Sequence, residues 1–170
     1  MLSIRTILYP ADFSEQSGHA FQFACSLARD YRARLIVLHV LELPVLTYSG
    51  VMTPPPPPLP STEELDAVRE QLHRIKPPDP AACVEYLLEQ GDPATIVLEV
   101  AQERQCDLIG MGTHGRTGLG RLLMGSVAEQ VVRQASCPVL TVKMPWRTAP
   151  SSEEAIGVAA AQLAEAKLPG

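Results

Sequence analysis

Aromatic side chains are scarce in this sequence: one tryptophan, four tyrosines and three phenylalanines, 5% of 170 residues. With 46% hydrophobic residues in all, the chain can still build a sizeable core, and that core must be aliphatic. A basic balance is also missing. Lysine and arginine number 14 against 19 aspartates and glutamates, a net charge of −5, which excludes a general nucleic-acid binder with a broad positive face. No apolar run approaches the ~20 residues of a membrane-spanning helix, so no membrane partner is expected. The chain opens on a β-type segment with no leader pattern, and a cytoplasmic location is expected. Four cysteines, Cys25, Cys83, Cys106 and Cys137, include no C-x-x-C pair. Reduced thiols are the default, and Cys25 and Cys83 sit in apolar contexts that suit core fillers. His19, His39, His73 and His114 show no metal-ligand spacing. No G-K-[ST] triplet occurs anywhere, which excludes a Walker P-loop.

Glycine, by contrast, is concentrated in one place. Six of the eleven glycines lie between Gly110 and Gly125. The apolar run Leu108 to Met111 before them reads as a buried strand, and a helical pattern begins at Gly125-Ser126. The loop between has no acidic residue and two arginines, Arg116 and Arg121. A helix N-terminus adds unpaired N–H groups and partial positive charge, typically ~0.3–1 kcal/mol for one anion at an exposed site. Strand, glycine loop, cations and helix start together suit a phosphate. The competing reading is a long loop whose glycines only make turns.

In chain order, Ser3 to Tyr9 reads as a first strand, followed by the turn Pro10-Ala-Asp-Phe-Ser14. Ser14 caps a helix to about Asp30 with Ala20, Phe23, Ala24 and Leu27 on its apolar side. Arg34 to Val40 is almost continuously apolar, as a strand covered on both faces reads. Glu42 to Pro60 carries the run Pro54 to Pro58, which in polyproline II geometry spans roughly 15 Å. It is read as a spacer, with a lid or docking segment as the alternative. Ser61-Thr-Glu-Glu64 is a capping box, opening a helix with Leu65, Val68, Leu72 and Ile75 on its buried side. Ala82 to Leu88 is a third strand. Gly91-Asp-Pro93 opens a helix capped by Asp92, with Pro93, Ile96, Val97 and Val100 as its stripe. Asp107 to Gly112 is the fourth strand. Ser126-Val-Ala-Glu129 again has the form of a capping box, with Ala128, Val131, Val132 and Ala135 facing the core, and Pro138 to Lys143 is the fifth strand. Alternating strands and helices predict a three-layer α/β sandwich with a five-stranded parallel sheet in residues 1–144. Residues 145–170 form an extension, either a short helix that needs a surface to pack on or a disordered tail.

Gly110-Met-Gly-Thr-His-Gly115 matches G-x-G-x-x-G, but it follows the fourth strand rather than the first, and the next strand ends at Lys143 rather than at an acidic residue. A dinucleotide fingerprint is not implied. The more specific pattern is Gly112-x-x-Gly115, nine residues, then Gly125-Ser126. With Tyr9-Pro-Ala-Asp-Phe-Ser14, His39-Val40, Gly91-Asp-Pro93 and Cys137-Pro-Val-Leu-Thr-Val-Lys143, it resembles the universal stress protein family, in its ATP-binding branch, over residues 3 to 143. The resemblance implies a Rossmann-like sheet of order 3-2-1-4-5, of the adenine nucleotide alpha hydrolase type, with ligand at the switch point between strands 1 and 4. It implies ATP or a related adenine nucleotide, with Mg2+ held largely by phosphates and water. By position, Asp12 would meet the ribose or adenine edge, and Pro10, Ala11 and Val40 would line the adenine slot. Met111 and Gly112 would close the pocket, and Gly115, Gly125, Ser126 and Val127 would face the phosphates. The residues themselves leave alternatives open. Asp12 also suits a turn or cap, and Ser126 an N-cap paired with Glu129. Arg116 and Arg121 either neutralise phosphate or are solvated, and nothing nearby in sequence orients His114 as a base.

The functional expectation is a regulatory, stress-response switch that binds adenine nucleotide and hydrolyses ATP slowly if at all. The sequence shows no Walker lysine and no evident paired carboxylates for metal. The alternatives are a true ATPase or nucleotide transferase on the same fold, and an interaction module that has lost nucleotide binding. The resemblance also suggests a homodimer through the last strand, Val139, Leu140, Thr141 and Val142, an apolar edge that tends to be paired. Replacing Leu140 by proline is expected to break it.

Overall fold

The computed structural model describes residues 3–42, 59–80, 82–113 and 124–143. The proline-rich segment, the middle of the glycine loop and the C-terminal extension lie outside them. In chain order the elements are β1 (Thr6–Pro10), α1 (Glu15–Tyr31), β2 (Arg34–Leu41), α2 (Thr62–Arg74), β3 (Val84–Gln90), α3 (Pro93–Glu103), β4 (Leu108–Gly112), α4 (Ser126–Gln134) and β5 (Val139–Val142). The strands form one parallel sheet in the order β3-β2-β1-β4-β5, as expected.

Two-residue alternation along the strands divides the core between the two faces of the sheet. Ile7, Tyr9, Leu35 and Val37 point to the side of α1 and α2, packing with Phe21, Ala24 and Leu72. Leu8, Ile36, Leu38 and Ile109 point to the side of α3 and α4, packing with Val97, Val100 and Val131. That double burial is why β2 reads as a continuous apolar run. At Gly110 a β-carbon would lie 3.7 Å from the Ala24 methyl, so β4 and α1 approach closely there.

Helix phases differ in detail from the sequence reading. On α1 the buried stripe is Ser17, Ala20, Phe21, Ala24 and Ala28, while Phe23 is 48% exposed and meets His19 edge-on. Ala20 and Ala24 are common to both phases, and what distinguishes the one adopted is that Phe21 packs on the buried Tyr9 ring, with centroids 5.1 Å apart. On α4, Ala128 and Val131 are buried, but Val132 is 44% exposed. On α2 only Leu72 of the expected face is fully buried, since the helix packs at the β3 edge rather than over the sheet centre. Cys83 is exposed, and Cys25 and Cys106 are the buried thiols. Burial pushes both up to about 11, so they stay neutral and unreactive as core residues.

The N-terminal edge of the sheet is closed by acidic side chains. Asp107 accepts from the backbone N–H of Arg5 at 2.8 Å and of Thr6 at 3.0 Å, tying β1 to β4. Those bonds hold its carboxyl below the usual aspartate range. Glu85 bridges Arg104 at 3.0 Å and Arg34 at 3.4 Å.

Candidate functional site

Crossovers from β1 and β4 leave in opposite directions, so a crevice must open between the loops that follow them. A cavity of about 330 Å3 lies there, at the C-terminal ends of the central strands. That is in the range of a small-molecule site. Its wall is formed by Pro10, Ala11 and Asp12 after β1, Val40 near the end of β2, Met111 and Gly112 at the end of β4, and Gly125, Ser126 and Val127 at the start of α4. These are the residues singled out in the sequence, brought together from four separate segments. Gly115 and Arg116, with His114 and Arg121, lie outside the described residues.

The turn after β1 is tightly specified. Asp12 Oδ1 accepts from the Ser14 N–H at 2.9 Å and from the Ser14 hydroxyl at 2.6 Å. Ser14 in turn caps α1 by accepting from the Ser17 N–H at 3.1 Å. The turn reading of Asp12 holds, since its carboxylate shapes the turn, and the residue also lines the cavity. Phe13, between them, stands at φ 63. A bulky residue in that region costs about 1–2 kcal/mol and persists only where its surroundings fix it. Beneath the turn, the buried Tyr9 hydroxyl donates to the Ser17 carbonyl at 2.6 Å and lies 2.5 Å from the Ser17 hydroxyl. Burial raises the Tyr9 phenol well above its ordinary value, so it remains a neutral structural group.

On the opposite wall, the chain leaves β4 at the buried Thr113 and returns at Gly125, whose N–H donates to the Thr113 carbonyl at 2.8 Å. The ends of the glycine loop are therefore clasped at the cavity rim. The expected capping box at Ser126 and Glu129 is absent. Gly125 is the N-cap, Ser126 is the first helical residue, and no side chain caps the helix. Glu129 pairs instead with Arg133 at 3.0 Å, one turn along the helix. A Ser-x-x-Glu sequence fits equally a helix that starts one residue earlier, with Gly125 bonded to Thr113 as its cap and Glu129 left to pair with Arg133 four residues on. The consequence is chemical: among the described residues, no side chain caps the first N–H groups of α4 where they begin at the cavity, which suits an anion.

The sequence reading did not assign Ser17, Leu38, His39, Leu41, Glu42, Pro93, Val97 or Ala128 to the wall. Pro93 and Val97 had a usable signal, because Gly91-Asp-Pro93 marks a helix starting at the same end of the sheet. Gly91 stands at φ +146, and its N–H donates to the Leu41 carbonyl at 3.1 Å, which brings the start of α3 beside the end of β2. Among the described residues, no group of three or more His, Cys, Asp or Glu side chains could hold a metal ion, and no helix is long and apolar enough to cross a membrane.

Comparison with known proteins joins this geometry to a family. Residues 3–143 match the universal stress protein family. A universal stress protein of Methanocaldococcus jannaschii is 35% identical over 143 residues, covering 83% of this chain and 83% of that protein. A universal stress protein of Thermus aquaticus is 36% identical over 146 residues, covering 82% of this chain and 98% of that one. Among solved structures, a universal stress protein in complex with cAMP matches with a TM-score of 0.60 at 25% identity, over 83% of this chain and 98% of that chain.

Proposed function

The chain belongs to the universal stress protein family, and on that premise we propose that it binds an adenine nucleotide in the cavity between β1 and β4. In this reading it works as a regulatory switch in the cytoplasm, with at most slow hydrolysis of ATP. The observation that carries the reading is the start of α4: a helix N-terminus without a side-chain cap, opening on a cavity with apolar walls at the sheet's switch point. The solved relative with cAMP supports the same ligand class.

The walls suit the two ends of such a ligand differently. Pro10, Ala11 and Val40 offer an apolar slot for a base. Asp12 offers acceptors for sugar hydroxyls. Met111 and Gly112 close the slot, and Gly125, Ser126 and Val127 offer N–H groups and one hydroxyl to phosphates, joined by Gly115 and Arg116 of the loop. With no acidic cluster among the described residues, Mg2+ would arrive with the phosphates and keep most of its water. Residues 1–144 would form the nucleotide-binding unit, with residues 145–170 as an appendage. A homodimer through β5 accompanies the reading, supported by the position of β5 at the sheet edge and by Leu140, 36% exposed.

The test is calorimetric titration with ATP and Mg2+ on the native chain and on Gly125→Asp. Gly125 has φ −58, which aspartate adopts without strain, and aspartate is a good N-cap. The variant should keep its stability while setting a carboxylate against the phosphates. Native binding near micromolar, about −8 kcal/mol, that is lost in the variant supports the reading. No binding by the native chain, or equal binding by both, overturns it. Phosphate release far above background would turn the assignment to the enzyme alternative.

A further inference from the structure

The wall of the cavity contains an arrangement that the nucleotide reading leaves without a role. Ala11, the first residue after β1, has both backbone groups tied to β2. Its N–H donates to the Leu38 carbonyl at 2.7 Å, and its carbonyl accepts from His39 Nδ1 at 2.6 Å. A carbonyl can only accept, so Nδ1 carries the proton. The imidazole is 4% exposed and packs against the Phe13 ring, with centroids 4.2 Å apart and planes inclined by 35°. Phe13 is the residue held at φ 63. One side chain of β2 therefore grips the turn on both sides of Asp12: Ala11 by a hydrogen bond and Phe13 by ring contact. Neither Phe13 nor the Nδ1 bond belongs to the phosphate end, which is built from β4 and α4.

We propose that His39 and Phe13 form a clamp that positions Ala11 and Asp12 for the adenosine half of the ligand. His39 is a positioning residue here, acting through the turn. The proposal rests on the nucleotide reading above. It follows from two physical points. A left-handed bulky residue stays in place only when neighbours over-determine it, and a recognition site loses affinity when its supporting shell lets it drift. Because the clamp touches only one half of the site, it predicts a division that general loss of structure would not produce.

Binding of adenosine, ATP and inorganic tripolyphosphate to the full chain tests this division in three variants. His39→Phe keeps a ring and removes the donor. His39→Asn returns an N–H donor near the Nδ1 position, and Phe13→Leu removes only the ring contact. In His39→Phe, adenosine and ATP should each weaken by about tenfold, the scale of one buried hydrogen bond, with tripolyphosphate unchanged. His39→Asn should recover most of that loss, and Phe13→Leu should weaken adenosine and ATP together, again with tripolyphosphate unchanged. Native adenosine affinity in His39→Phe, or equal losses of adenosine and tripolyphosphate, overturns the clamp. If His39→Phe does not fold, the same division is read from Phe13→Leu against His39→Asn. Amide hydrogen exchange at Asp12, Phe13 and Ser14 reads the clamp in the free protein. It should be faster in His39→Phe and in Phe13→Leu, and close to native in His39→Asn; native exchange in the first two overturns the clamp. A native chain that binds none of the three ligands would defeat the nucleotide reading, while the exchange data still decide the clamp.

Discussion

Helices α3 and α4 both begin at the cavity rim on the same side of the sheet, and they begin in different ways. At α3, Asp92 accepts from the Thr95 N–H at 2.9 Å and from the Thr95 hydroxyl at 2.7 Å, with Pro93 at the first helical position. These bonds hold the Asp92 carboxyl below its ordinary value of 3.8. The positive end of α3 is thus answered by its own chain. At α4, Gly125 occupies the same position and brings no side chain. The sequence supplies good capping residues at Ser14, Ser61 and Asp92, where each side chain accepts from a helix N–H. A cap that stabilises a helix also blocks it to outside anions, so the uncapped helix is where a ligand has most to gain.

The strongest way to break the contrast is to give α4 what α3 has. Gly125→Asp should leave the melting temperature unchanged or slightly raised and weaken ATP by about a hundredfold or more, the scale of like charges brought together at a site. Calorimetry with ATP reads it, and unchanged affinity would mean that phosphates do not meet this helix.

The proposed dimer is next in size. The bonds from the Ile109 N–H to the Pro138 carbonyl and from the Thr113 N–H to the Val142 carbonyl fix the phase of the β4–β5 ladder. In that phase the Leu140 N–H turns inward to β4, while Val139 and Thr141 direct their backbone groups outward. The proline substitution that attacks a partner strand alone is therefore Thr141→Pro rather than Leu140→Pro. Thr141→Pro should halve the mass measured by light scattering without unfolding the domain. An unchanged mass with intact stability removes β5 from the interface.

Removing the cap of α3 should act on stability alone. Asp92→Ala is expected to cost about 1 kcal/mol in a denaturant titration and to leave ATP affinity unchanged. Since the folded carboxyl is depressed, its contribution is present above the ordinary value of 3.8 and fades as pH falls through the lower folded value. The difference between native and variant should therefore shrink in acid. A gap that persists there would assign the cost to something other than the charged cap.

The smallest effect separates a real capping box from one that only has the spacing. Glu64 closes a box with Ser61, accepting from the Ser61 N–H at 2.7 Å, whereas Glu129 makes an exposed pair with Arg133. Glu129→Gln should change stability by no more than about 0.5 kcal/mol, as for other exposed helix pairs. A larger loss than for Glu64→Gln would show that Glu129 serves the start of α4 after all.

These cases also show how far the sequence could be read. The strands of the centre were legible because Leu35 to Leu38 are buried on both faces and leave a continuous apolar run. The caps at Ser14, Ser61 and Asp92 were legible because a cap is a local bond, completed within three residues. Phe23 is expected on the buried side of α1 and Phe21 is the one found there, since a helix with apolar residues on neighbouring faces has no unique phase until its partner is known. Ser126 and Glu129 failed for a similar reason. Their spacing fits a helix that starts at Val127 as well as one that starts at Ser126, and the start falls where Gly125, bonded to Thr113 across the loop, becomes the cap. The wall residues Pro93 and Val97 were read only as core, because their place beside β2 depends on the turn at Gly91.

The order of elements, the parallel sheet and the two short stretches that line the cavity after β1 and β4 were determined by the sequence itself. Periodicity, caps and glycine spacing are local signals, and each is complete within a few residues. The tertiary structure decided what lies opposite what: that His39 grips the turn at Ala11 and Phe13, that α4 begins one residue earlier than its motif suggests, and that the cavity has a third wall from α3. Those contacts join residues far apart in the chain, and their selection required packing the whole sheet at once.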